Sequence, residues 1–122
     1  METIYEWLLS YTGKEEKYYT ILNTQRHDAN DSAMIEVLAR TNDFRSVGML
    51  IYQSATPPHQ QPNWVPQQAT QTDFLFDSAQ QVVHYLETGE GATLASDKTG
   101  IHLILIEPED DLAPIAFDQL GV

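Results

Sequence analysis

Glu107, Glu109, Asp110 and Asp111 form the densest group of chemistry-bearing side chains in this chain. Carboxylates packed this closely can stay solvated, hold a hard cation or meet a basic partner. A hard cation needs about six oxygen ligands in a shaped loop. The Asp-x-Asp-x-Asp-Gly pattern that shapes one is missing here, so no metal site is expected. Pro108 starts a turn after an apolar run, and carboxylates just behind it suit the positive end of that turn. That solvated loop stands beside the sharper expectation, a docking patch for a basic protein. Glu87, Glu90 and Asp118 are the acidic residues grouped with it.

Other chemistries have weaker support. The histidines at 27, 59, 84 and 102 share no ligand spacing. His84 and Glu87 stand at i, i+3 on one helix face, half of a bundle-type metal site, and no second such pair occurs. Ser78 and Ser96 lack the Gly-x-Ser-x-Gly elbow. Composition leaves open a Ser-His-Asp set assembled in space. Gly89-Glu90-Gly91 follows a helix, lacks a third glycine and carries an acidic middle residue, so it is no phosphate cradle. With no cysteine, a disulfide frame, an iron–sulfur cluster and a thiolate nucleophile are excluded. No catalytic residue and no cofactor are expected.

Charge patterning says more. The chain holds 18 Asp and Glu against 6 Lys and Arg, a net charge of -12. Lys14, Lys17, Arg26, Arg40 and Arg45 all precede Val47, and beyond it Lys98 stands alone against ten carboxylates. Affinity for nucleic acid follows the number of cations that neutralise phosphates, so nucleic acid is disfavoured, and so is an anionic membrane. A basic protein is attracted. The opening Met-Glu-Thr-Ile-Tyr-Glu has no signal-peptide character. No apolar run approaches the roughly 20 residues of a membrane span. A cytoplasmic protein is expected.

The elements that must position these groups can be read from periodicity. Ile4, Trp7, Leu8 and Tyr11 mark a helix over 3–12, with Thr3 and Glu6 spaced as a capping box and Gly13 suited to a left-handed stop. Residues 17–53 read as an antiparallel meander. Residues 18–22 are rich in β-formers, 26–32 carry turn chemistry, and 46–52 form a strand. Ile35 and Val37 alternating with Glu36 favour a strand over 33–40; a short helix capped by Asp31 or Ser32 is the alternative. Residues 72–76 make a strand. A second helix near 77–88 follows, capped by Asp77 with Gln80 or Ser78 with Gln81, with Ala79, Val82, Val83 and Leu86 as its stripe and Gly89 as its stop. Residues 92–95 and 101–106 are expected to pair as a hairpin across Asp97-Lys98-Thr99-Gly100. Ile101 to Ile106 is apolar on both faces and belongs centrally in a sheet.

Between these elements lies a Pro/Gln-rich loop at 54–71, with Pro57, Pro58, Pro62 and Pro66 around Trp64. Proline removes donors and fixes φ, so no regular element survives there. Trp64 either pins the loop to the core or anchors a partner. The whole reads as a single α+β domain of 122 residues: a mostly antiparallel sheet of four to six strands with two helices on one face. In size and charge the chain resembles immunity-type and anti-defence-type inhibitors, a resemblance of kind and not of family. The leading expectation is an inhibitor whose carboxylates take the place of phosphates on a nuclease or nucleic-acid-binding partner. The alternatives are a small-ligand-binding domain or small enzyme with 54–71 as a lid, and an accessory subunit of a larger complex.

Overall fold

The apolar stripes and β-branched runs sort onto one antiparallel sheet with both helices on a single face. In the computed structural model, residues 2–29, 32–53, 69–95 and 100–108 are described, apart from the side chains of 27–29, 32 and 33. The elements are α1 (Glu2–Ser10), β1 (Thr20–Ala29), β2 (Ser32–Arg40), β3 (Ser46–Gln53), β4 (Ala69–Phe76), α2 (Ala79–Thr88), β5 (Thr93–Leu94) and β6 (Ile101–Pro108). The six strands run in the order β1-β2-β3-β6-β4-β5. Residues 33–40 are strand, as the alternation of Ile35, Glu36 and Val37 requires.

Register decides which side chains share a face. Ile35, Val37 and Ala39 lie opposite Ile51, Met49 and Val47, and Leu103 and Leu105 continue the same row. All are buried against Ile4 and Leu8 of α1 and Val82, Tyr85 and Leu86 of α2. The other face carries Leu50 and Ile106, buried with Met34, Leu38, Ala69 and Ile104 packed on them. β6 therefore has apolar neighbours on both faces and a strand on each side, as a run apolar on both faces apart from His102 demands.

Five expectations are corrected. First, β5 and β6 form no hairpin. β5 pairs with β4, at Phe74↔Leu94 and Leu75↔Thr93, and β4 separates it from β6. The physical reason is that β6 is the strand with two apolar faces and takes the position between β3 and β4, leaving short, exposed β5 at the edge. Second, residues 26–29 continue β1 and are not turn, because the ladder with β2 extends to Ala29↔Ser32. Third, α1 starts at Glu2, which puts Thr3 inside the helix and not at its cap. Fourth, Val83 is only half-buried, and Tyr85 completes the buried face of α2. Fifth, β4 begins at Ala69, so 69–71 belong to the sheet and not to the loop.

The remainder of that loop lies outside the described residues. The caps of α2 do follow the sequence. Ser78 Oγ accepts from Gln81 N–H at 3.3 Å, and Gln81 Oε1 accepts from Asp77 N–H at 2.9 Å. Gly89 sits at φ 74° with its N–H donating to the Tyr85 carbonyl. A Cβ at Gly89 would also lie 2.8 Å from the Tyr18 ring, so the position needs glycine for two reasons. Among the described residues no helix is long and apolar enough to cross a membrane.

Candidate functional site

Three of the expected partner-binding residues, Glu87, Glu90 and Glu107, fall at one end of the sheet. At this end β2 turns into β3, with Arg40 opposite Ser46. β6 leaves the β3 ladder at Gly48↔Ile106 and pairs on with β4 to Ala69↔Pro108, so Glu107 and Pro108 lie beside that turn. The C-terminal end of α2 docks on the segment entering β1: Tyr18 N–H donates to the Glu87 carbonyl at 2.9 Å and Tyr19 N–H to the Leu86 carbonyl at 3.3 Å. Glu90 follows the Gly89 stop, with its N–H on Thr88 Oγ1. Trp64, Glu109, Asp110, Asp111 and Asp118 lie outside the described residues.

This end carries both signs of charge: Lys17, Arg40 and Arg45 stand there with Glu15, Glu87, Glu90 and Glu107. The last turn of α2 holds no basic residue of its own. Its Tyr85, Leu86 and Glu87 carbonyls accept from the N–H groups of Gly89, Tyr19 and Tyr18, and carboxylates near this end work against the helix dipole. Lys17 Nζ reaches Glu87 at 3.0 Å, and this hydrogen bond raises the Lys17 pKa. Among the described residues no cation pairs with Glu90 or Glu107. Under Glu107 lie Tyr19 and Tyr85, whose hydroxyls hydrogen-bond at 2.7 Å inside the core. Burial raises the pKa of both phenols, and the nearby Glu107 carboxylate adds to it.

The β2–β3 turn supplies what the sequence reading missed. Phe44 stands at φ 65° and is 77% exposed. The turn is closed by Thr41 N–H on the Arg45 carbonyl at 2.9 Å, Phe44 N–H on the Thr41 carbonyl at 3.0 Å and Arg45 N–H on Thr41 Oγ1 at 3.1 Å. The Thr41 hydroxyl also donates to Asp43. The Arg40 guanidinium lies 5.1 Å from the Phe44 ring centre and pairs with Glu15 at 2.8 Å. Lys17, Thr20, Arg40 and Phe44 border one small cavity of about 130 Å³, which links the aromatic tip to the Lys17–Glu87 pair. The only sequence signal was an aromatic residue in a short connection without glycine.

A second constellation lies on the face away from α1 and α2, toward the other end of the sheet. Tyr52 and His102 face each other across β3 and β6 with their rings stacked at 5.0 Å and 4°. From β4, Asp73 brings its carboxylate oxygens to 2.9 and 3.2 Å from His102 Nδ1. A carboxylate only accepts, so the proton of this contact sits on His102 Nδ1. Burial raises the Tyr52 pKa, with the Asp73 charge adding to it. No spacing rule links Asp73 to His102, because only strand register brings them together. Among the described residues no group of three or more His, Cys, Asp and Glu could hold a metal ion. His84 is exposed on α2 beside an open groove of about 490 Å³ bordered by Asp77, Gln80 and Leu94. No family model, curated protein or solved structure matches this chain.

Proposed function

We propose that this chain is a binding protein, an acidic inhibitor of the immunity or anti-defence kind. It acts in the cytoplasm on a basic partner, a nuclease or another nucleic-acid-binding protein. The observation that carries the reading is the convergence of Glu87, Glu90 and Glu107 with the negative end of α2. Glu87 is paired with Lys17, whereas Glu90 and Glu107 have no ion-pair partner among the described residues, which supports a role for their charge in attracting a partner. The acidic run 109–111 follows Pro108 directly in sequence.

In this mechanism the carboxylates occupy positions that phosphates would take on the partner. Long-range attraction speeds encounter toward about 10⁸ M⁻¹s⁻¹ at low salt. Contacts made after docking set the release rate. Capture from native lysate at low salt, followed by salt-gradient elution, tests the reading. A basic protein retained in stoichiometric amount, with association slowed by Glu87→Gln, Glu90→Gln and Glu107→Gln together, is the expected result. Binding indifferent to both salt and charge removal, or no retained protein, overturns it.

A second reading, a small-ligand-binding domain or enzyme, has one specific observation in its favour: the Tyr52–His102–Asp73 array. It requires a ligand on the face away from α1 and α2, and its binding would shift the His102 ring resonances with little dependence on salt.

A further inference from the structure

β1 lies at an edge of the sheet and runs for 10 residues, from Thr20 to Ala29, with β2 as its neighbouring strand. The outer backbone groups of such a strand are a template for another strand, and proteins block them with proline, lysine, bulges or a covering segment. Between Thr20 and Ala29 there is no proline and no lysine. The bulge falls at Leu22, between Ile21 and Asn23. The covering segment falls at the same end, where Thr12 bridges Ile21 and Gly13 N–H donates to the Ile21 carbonyl at 2.7 Å. From Asn23 onward no second strand runs beside β1 among the described residues. The opposite edge, β5, is only 2 residues long.

Side chains along this edge point to its occupant. α1 runs beside β1: Arg26 meets Glu2 and the Tyr5 ring, and the chain just past the helix bridges Ile21. Leu9 stands four residues after Tyr5, on the same side of α1, and is 51% exposed. Leu22 in the bulge is 38% exposed. Among the described residues, the one buried side-chain oxygen or nitrogen without a hydrogen-bond partner is Thr24 Oγ1, midway along β1. A buried hydroxyl left unpaired is unfavourable, and threonines directly opposite each other on paired strands hydrogen-bond. The two charged residues of the strand, Arg26 and Asp28, cancel in formal charge. An edge that is neutral as a whole offers no excess of carboxylates to a basic strand, and it suits a second copy of itself.

We propose that β1 pairs antiparallel with β1 of a second copy of this chain, about a two-fold axis at Thr24. The two sheets then join into one. Thr24 faces Thr24 of the copy, so the orphaned hydroxyls meet, and Asn23 faces Gln25 on the rungs to either side. The same patch serves both copies, as a two-fold contact requires. Leu9 and Leu22 lie along the seam. Each chain carries a net charge of -12, so long-range repulsion opposes the pairing and added salt tightens it. That dependence is the reverse of the one expected for a basic partner, so this proposal and the inhibitor reading stand or fall separately.

Sedimentation equilibrium of the full chain at low and high salt tests the proposal. The expected result is a reversible dimer whose dissociation constant falls at least about threefold at high salt. Asn23→Lys with Gln25→Lys sets like charges opposite each other on two rungs and should weaken the dimer about tenfold or more, whereas Asn23→Glu with Gln25→Lys sets opposite charges there and should keep it. Circular dichroism matching that of the parent shows that lost pairing is not lost folding. The chain has no cysteine, so Thr24→Cys introduces a single thiol. Opposite residues on paired strands have Cα atoms about 4.5–5.5 Å apart, within disulfide reach, so this variant should oxidise to a covalent dimer. Leu94→Cys, at a position 68% exposed on the other edge, should do so far more slowly. A monomer at millimolar concentration and high salt overturns the proposal. So does a dimer that keeps its affinity with both lysines in place, or one that cross-links from Leu94→Cys as fast as from Thr24→Cys.

Discussion

The Tyr19–Tyr85 pair allows a prediction whose size can be worked from the structure. The two residues are 5% and 4% exposed, and their hydroxyls are 2.7 Å apart. Tyr85→Phe keeps the ring contacts to Phe74 and Phe76, each with centroids 5.7 Å apart. It removes one hydroxyl and leaves Tyr19 Oη buried without its partner. An unsatisfied buried hydroxyl costs about 1–3 kcal/mol. For a domain of this length, each kcal/mol moves the melting temperature by roughly 4 °C, so the single variant should melt about 4–12 °C lower. Tyr19→Phe should behave alike. The double variant leaves no orphaned hydroxyl and should be more stable than the two singles added together, with a coupling of about 1 kcal/mol or more. Urea unfolding at neutral pH, with equal m values across the four proteins, measures it. Singles within about 0.3 kcal/mol of the parent, or strict additivity in the double, would refute the buried pair.

The same phenols fix an alkaline limit. Burial holds both folded-state pKa values above the ordinary 10.0. The stability they contribute is therefore fully present below pH 10 and is lost as the pH rises past it, because the unfolded chain ionises first. Phenolate absorbance should rise together with unfolding, and the double phenylalanine variant should lose stability less steeply. Gly89→Ala forces a side chain into the left-handed region and to within 2.8 Å of the Tyr18 ring, and should cost at least about 1 kcal/mol by denaturant unfolding. Val82→Asp should abolish the cooperative transition, because Val82 is 0% exposed and the charge would have no partner, whereas Val83→Asp should still fold. Asp73→Asn removes the carboxylate from His102 Nδ1, so nitrogen NMR of the ring should show a changed tautomer balance; an unchanged balance would mean the contact does not orient the ring.

Local pattern located most of the elements of this fold, though it read 26–29 as turn and 69–71 as loop where the structure has strand. A helical period over Ile4, Trp7 and Leu8, the Ser78–Gln81 cap with its Gly89 stop, and the two-faced apolar run at Ile101–Ile106 each express a rule acting within a few residues. The charge asymmetry was equally plain, because charge is a property of composition and order alone. Tertiary structure decided everything that depends on partners distant in sequence. β5 chose β4 over β6 because the sheet placed its most apolar strand centrally, a competition no local window contains. The strained, exposed Phe44 arises from the turn that joins β2 to β3 and not from its own preference. Asp73 meets His102, and Glu107 comes to the end where α2 stops, only through strand register and helix docking. Contacts between residues far apart in the chain require loop closure and a shared core, and those are settled only when the whole domain packs.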